Sequence, residues 1–163
     1  MRQPWFVLGR TRCQSGSAAP DFTLLDGNGQ PHSLAAYRGR WLLLYFYPRD
    51  NTPLCTREAC AVRDSWGEFA RLNAGVLGIS LDNAASHQQF AAAQNLPFPL
   101  LSDPTGEVAL QYGALLRVGP VRLARRFSFL VDPHGHIRKC YFKVQVDRHA
   151  RDVLDDLRQL QTV

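Results

Sequence analysis

The residues best suited to chemistry lie together in "YPRDNTPLCTREAC", Tyr47 to Cys60. Cys55 and Cys60 stand five positions apart there, just behind Thr52-Pro53. Such a pair could be a disulfide staple, a zinc clip, buried filler, or a nucleophile with a partner. Thr52 suits a helix N-cap, and Pro53 suits the first helical position, where its missing N–H does no harm. Cys55 then falls in the first helical turn, against unsatisfied N–H groups and the positive end of the helix dipole. Both favour thiolate over thiol. Cys55 also shares an apolar face with Ala59, Val62, Trp66 and Phe69, where buried cysteine is ordinary packing. On position alone, nucleophile and filler both stand.

Cys60 narrows the chemistry. On a helix it projects about 140° away from Cys55, beside Arg63 and Asp64, with the two Cα atoms about 8.6 Å apart. A disulfide spans little beyond about 7 Å without backbone movement. A static staple is therefore incompatible with an intact helix. Either the thiols never bond, or the first turns unwind when they do. Two cysteines at this spacing with no second pair nearby make a poor zinc signature.

The surrounding elements must position this stretch. "WLLLYFYP", Trp41 to Pro48, is a continuous apolar run, expected to be a strand buried on both faces. Thr52 to Leu72 is expected to be one helix, weakened at Gly67 by about 1 kcal/mol. "AGVLGISL", Ala74 to Leu81, is a second buried strand, and Asn83 to Asn95 an alanine-rich helix. Asp26-Gly27-Asn28-Gly29 signals a hairpin turn. A short helix follows from Pro104 to Tyr112, closed by Gly113. A later hairpin runs Arg126–Val131 and His136–Val144 around Pro133-His134-Gly135. Asp147 is placed to cap a last helix with an apolar stripe of Val153, Leu154, Leu157 and Leu160. This order predicts an α/β fold, a central mixed sheet with helices on both faces.

The 163 residues suit one domain. No apolar run reaches membrane-span length. The patch Trp5 to Leu8 is too short for a secretory h-region. Residues 1–17 are therefore expected to be a loose extension and 18–163 the domain. The cytoplasm is the default compartment, where thiols stay reduced. The net charge of +5 comes mostly from arginine. It is scattered apart from Arg117, Arg122, Arg125 and Arg126. Without an aromatic–basic motif it points to solvated faces rather than nucleic acid.

Pro48-x-x-x-Thr52-x-x-Cys55 resembles the P-x-x-x-T-x-x-C motif of the peroxiredoxins, thiol peroxidases of thioredoxin-like fold. "FYPRDNTPLCTREACAVRD" is similar to the peroxiredoxin Q, or bacterioferritin comigratory protein, subfamily. The likeness continues in order through "APDFTL", "LLSDPTGEVALQYG" and "RRFSFLVD" to the C-terminal helix. It implies that Cys55 is the peroxidatic cysteine and that Thr52 holds the thiolate and the peroxide. It makes Pro48 a shield against water and Arg126 the arginine beside the sulfur. Strand alternation sends Arg125 and Arg126 to opposite faces, and the spacing to Phe129 favours Arg126. Cys60 matches the resolving cysteine of members with C-x-x-x-x-C. It would condense with the sulfenic acid after local unfolding. The family implies hydrogen peroxide and organic hydroperoxides as substrates, and thioredoxin or a similar dithiol as reductant. It implies no metal or prosthetic group, and a monomer. A one-cysteine peroxidase, or a redox sensor acting on a partner, is the alternative. One departure is Leu54, where the subfamily usually has glycine.

The other candidates read as structural. Cys140 sits in an alternating strand as packing, with no partner cysteine close in sequence. Cys13 falls in the extension as an incidental thiol. His134 and His136 flank a turn without a third ligand. His32, His87 and His149 carry no signal.

Overall fold

The structure, a computed structural model, describes residues 13–162. The expected loose patch at Trp5 to Leu8 lies outside the described residues. Among the described residues, nine strands form two sheets. The strands are β1 Thr23–Asp26, β2 Pro31–Ser33, β3 Trp41–Phe46, β4 Ala74–Ser80 and β5 Leu100–Ser102, then β6 Leu115–Val118, β7 Val121–Ala124, β8 Ser128–Val131 and β9 Ile137–Tyr141. The helices are α1 Pro53–Asp64, α2 Trp66–Arg71, α3 Ala84–Gln94, α4 Glu107–Gln111 and α5 His149–Gln161. The main sheet runs β2-β1-β5-β4-β3-β8-β9. Pairs β3–β4 and β4–β5 are parallel, and the other pairs are antiparallel, so the sheet is mixed as expected.

β3 is the spine. Leu42, Leu43, Leu44 and Phe46 are all 0% exposed, so the strand is buried on both faces. Its residues alternate between two cores. Leu42, Leu44 and Phe46 join Phe22, Leu34, Val108, Tyr112 and Phe129 beneath α4. Trp41, Leu43, Tyr45 and Tyr47 join Cys55, Val62, Phe69, Phe90 and Leu157 beneath α1, α2, α3 and α5. Burying each large apolar side chain contributes about 1.5–3 kcal/mol. Two cores back to back therefore hold the end of β3 firmly, and α1 starts from that end.

Several expectations shift. The single helix from Thr52 to Leu72 is two helices, broken at Ser65 (φ −101°, ψ 7°) rather than at Gly67. Ser65 N–H bonds back three residues to the Val62 carbonyl, which tightens the turn and ends α1. The strand expected from Arg126 begins at Ser128, because Phe127 N–H turns back to the Arg125 carbonyl. Asp147 does not cap α5. Arg148 is the N-cap residue, and Asp147 pairs with Arg57 of α1 instead. The β6–β7 hairpin, with Arg117 opposite Arg122, had no strand signal that separated it from a loop. Asn83 and Asn95 do bound α3 as expected. Asn83 accepts from Ser86 N–H, and Asn95 takes a left-handed cap (φ 53°).

Cys13 is not a loose thiol. It is 5% exposed and belongs to the core beneath α4. Gly16 N–H bonds the Ile137 carbonyl at 2.6 Å, Ile137 N–H bonds the Ser17 carbonyl at 2.8 Å, and Ala18 bridges His136. The segment before β1 is thereby strapped along β9.

Candidate active site

The site forms where β3 hands over to α1. Tyr47 N–H bonds the Ile79 carbonyl of β4 at 3.1 Å, which carries the sheet one residue past β3. The chain then crosses to α1 through Pro48–Thr52, with Asn51 in the left-handed region at φ 63°. Asn tolerates that conformation better than other side-chain-bearing residues. A buried polar latch holds this crossing. Tyr47 OH donates to Asp50 Oδ1 at 2.6 Å, and Ser86 Oγ donates to Asp50 Oδ2 at 2.7 Å. His87 Nδ1 lies 2.8 Å from Asp50 Oδ2, and its Nε2 lies 3.0 Å from the Leu101 carbonyl. Asp50 N–H donates to Asp82 Oδ2 at 2.8 Å. Burial alone would raise the Asp50 pKa, but the hydrogen bonds from His87, Tyr47 and Ser86 hold it below the usual carboxylate value.

Asp50, Asp82 and His87 form the one metal-competent trio among the described residues. Both Asp50 oxygens, Asp82 Oδ2 and both His87 ring nitrogens already carry hydrogen bonds. The trio therefore acts as a latch between the crossing and α3. The sequence held no pattern for His87, because its partners come from two separate segments, Tyr47–Asp50 and Leu101.

Thr52 caps α1 by backbone geometry (φ −81°, ψ 154°), and its carbonyl accepts from Thr56 N–H at 2.9 Å. Its hydroxyl donates to the Arg49 carbonyl at 2.9 Å and makes no side-chain cap. Pro48 is half-buried beside this turn. Pro53, Leu54 and Cys55 make up the first turn, where the N–H groups of Leu54 and Cys55 have no carbonyl four residues back in the helix. Leu54 points outward, 47% exposed.

Cys55 is 1% exposed. Arg126 reaches it from the segment before β8, where Nη2 donates to Cys55 Sγ at 3.3 Å. Arg125 is exposed to solvent; the two arginines part at the turn between β7 and β8, not by the strand alternation expected from the sequence. The other arm of the Arg126 fork, Nη1, lies 2.7 Å from Glu58 Oε1. Glu58 sits one turn beyond Cys55 on the same helix face and is 1% exposed. Burial pushes its carboxyl up to about 7, against the opposing pull of Arg126. Its second oxygen, and the hydroxyl of Tyr45, are buried without a hydrogen-bond partner. Glu58 is a site residue that the sequence did not single out. The signal was an acid three residues after Cys55, inside the apolar stripe, where an unpaired carboxylate is costly.

Cys60 lies on the same helix and is partly exposed. Its thiol donates to Gln94 Oε1 at 3.4 Å, and Arg63 Nη1 donates to the Gln94 carbonyl at 2.7 Å. The outer face of α1 is thus tied to the C-terminal end of α3, where a cation is favoured. The arrangement places a positive charge within hydrogen-bond reach of the Cys55 sulfur in a nearly dry site. Such a site suits attack by sulfur and stabilisation of negative charge leaving from an attacked atom.

The AhpC/TSA family model matches residues 15–140, and the chain belongs to that family. It is 42% identical over 146 residues to "Putative peroxiredoxin bcp" of Coxiella burnetii, covering 87% of this chain and 97% of that one. It superposes on the peroxidoxin BcpB of Mycobacterium tuberculosis with a TM-score of 0.86 at 33% identity, covering 91% of this chain and 98% of that one. A Xanthomonas campestris bacterioferritin comigratory protein superposes with a TM-score of 0.81 at 33% identity, covering 85% and 91% of the two chains. That Xanthomonas protein is described by its alkyl peroxide reduction activity. The thioredoxin-like fold, the peroxiredoxin Q resemblance and the oxidoreductase class expected from the sequence agree with these findings.

Proposed function

We propose that the chain is a thiol peroxidase in which Cys55 attacks the peroxide and Cys60 resolves the product. The observation that carries the reading is the Arg126 fork, which joins the Cys55 sulfur to Glu58 at the first turn of α1. The Cys55 thiolate attacks one peroxide oxygen, the O–O bond breaks, and hydroxide or alkoxide leaves and takes a proton. Cys55 becomes a sulfenic acid. Arg126 offsets the charge on the departing oxygen, and the free N–H groups of the first turn orient the substrate. Thr52 turns its hydroxyl from the Arg49 carbonyl toward the bound peroxide, and Pro48 keeps water out.

Cys60 then attacks the sulfenic sulfur, water leaves, and a disulfide forms. Both cysteines lie within one continuous helix, Pro53–Asp64, at a separation no disulfide spans. The first turns of α1 must therefore unwind in this step. A dithiol such as thioredoxin reduces the disulfide by exchange. Hydrogen peroxide and small organic hydroperoxides are the substrates, and the enzyme works as a monomer in the cytoplasm. No helix among the described residues is long and apolar enough to cross a membrane.

The test is to treat the reduced protein with one equivalent of hydrogen peroxide and map its peptides by mass spectrometry. The expected product has lost two hydrogens, with Cys55 linked to Cys60. The Cys55→Ser protein should consume no peroxide, and normal turnover by it would end the assignment. Stable sulfenic or sulfinic acid at Cys55 beside an alkylated Cys60 would replace it with the one-cysteine reading.

A further inference from the structure

The two cysteines outside α1 are distant in sequence but meet in the fold. Cys140, in β9 opposite Phe129, directs its thiol at the Cys13 carbonyl oxygen, 3.4 Å away. Both side chains pack on the same core beneath α4. A carbonyl oxygen lies about 2.4 Å from its own Cα, so Cys140 Sγ is within roughly 6 Å of the Cys13 Cα. A disulfide brings the two Cβ atoms to about 3.8 Å. Closure then needs Cys13 to turn its side chain toward Cys140 and its backbone to shift with it. The segment allows that shift, because Gln14, Ser15 and Gly16 face solvent and a Cβ at Gly16 would meet nothing within 4 Å. The contact of Cys13 Sγ with the Gln111 carbonyl at 3.5 Å must be given up.

We infer that Cys13 and Cys140 form a second oxidation site, an intrachain disulfide that fastens the segment before β1 to β9. The two thiols divide the labour by exposure. Cys140 is partly exposed and meets a dissolved hydroperoxide first, whereas Cys13 is 5% exposed and follows. Cys140 thiolate attacks a peroxide oxygen, the O–O bond breaks, and hydroxide or alkoxide leaves and takes a proton. Cys13 thiolate then attacks the sulfenic sulfur of Cys140, the S–S bond forms, and hydroxide leaves and takes a proton. Two thiols are oxidised by two electrons, and one hydroperoxide is reduced to water and an alcohol, or to two waters. Burial holds the Cys140 thiol protonated to higher pH than usual, so this reaction is slower than one at an activated thiol. The site fills under sustained peroxide and stands apart from the α1 chemistry.

The test uses the full chain carrying Cys55→Ser and Cys60→Ser, with the native chain run in parallel. Each is held in excess hydrogen peroxide, blocked with iodoacetamide and digested without reductant. The expected result is one cross-linked species joining the Cys13 and Cys140 peptides in both proteins, independent of protein concentration. Closing so long a loop should raise Tm by roughly 5–15 °C, reversed by dithiothreitol and absent in a further Cys140→Ser variant. Alkylated Cys13 beside oxidised or unreacted Cys140 would overturn the proposal, as would cross-links between chains only. Because Cys55 and Cys60 are absent from one of the two proteins, this outcome does not depend on the peroxidase assignment.

Discussion

Replacing Glu58 with glutamine should uncover a pH dependence of stability that the native chain conceals. Burial raises the Glu58 carboxyl from 4.5 to about 7, with Arg126 opposing. The folded state therefore keeps a proton that the unfolded chain has already released, and stability falls as pH rises from about 4.5 to 7. The shift corresponds to about 3 kcal/mol. His149 behaves in the opposite sense. Burial against Ser128 and Tyr141 lowers its imidazole from 6.5 to about 4, with Asp152 and Asp156 opposing. There the unfolded chain binds the proton that the folded state refuses, so stability rises with pH from about 4 to 6.5, again by about 3 kcal/mol. Between pH 4.5 and 6.5 the two slopes cancel. Of these two slopes only that of His149 remains in Glu58→Gln, and its contribution raises stability by about 2–3 kcal/mol across those two pH units. For a chain of this size that is a Tm increase of roughly 4–12 °C. Urea unfolding of both reduced proteins at pH 4.5, 5.5 and 6.5 measures it. Native and variant curves that run parallel across the range would refute the burial argument for Glu58.

Two predictions concern the site itself. Arg126→Lys puts a single point donor where a planar fork now serves Cys55 and Glu58 at once. The second-order rate with hydrogen peroxide, followed by stopped-flow, should drop about 100-fold; an unchanged rate would remove Arg126 from the chemistry. Gln94→Ala takes away the acceptor of the Cys60 thiol, a hydrogen bond of about 0.5–1 kcal/mol. At high peroxide the ratio of Cys55–Cys60 disulfide to Cys55 sulfinic acid should rise by roughly two- to five-fold, and an unaltered ratio would show that Gln94 does not restrain Cys60.

The legible parts of this chain were those whose causes are local. Trp41 to Phe46 could only be a buried strand, because an unbroken apolar run needs cover on both faces. Thr52-Pro53 marked the start of α1 through cap chemistry that needs no tertiary partner. Cys55 could be placed in the first turn for the same reason, and the Asn83 and Asn95 caps bounded α3. Arg126 was separable from Arg125 by its spacing to Phe129, although the turn before β8, not strand alternation, sets the two apart.

What escaped the sequence depended on segments meeting. Glu58 is a surface-like residue type, and only the arrival of Arg126 from 68 positions away makes its burial tolerable. His87 gained its role from Asp50 and Leu101, on other elements. Asp147 read as a helix cap until Arg57 drew it to α1. Cys13 and Cys140 read as unrelated thiols until the Gly16–Ala18 segment ran along β9. By itself the sequence determined the start of α1, the place of Cys55 in its first turn and the class of sheet, because caps and periodicity act over a few residues. The tertiary structure alone decided which charges and thiols face each other, because those contacts join residues that no local pattern links.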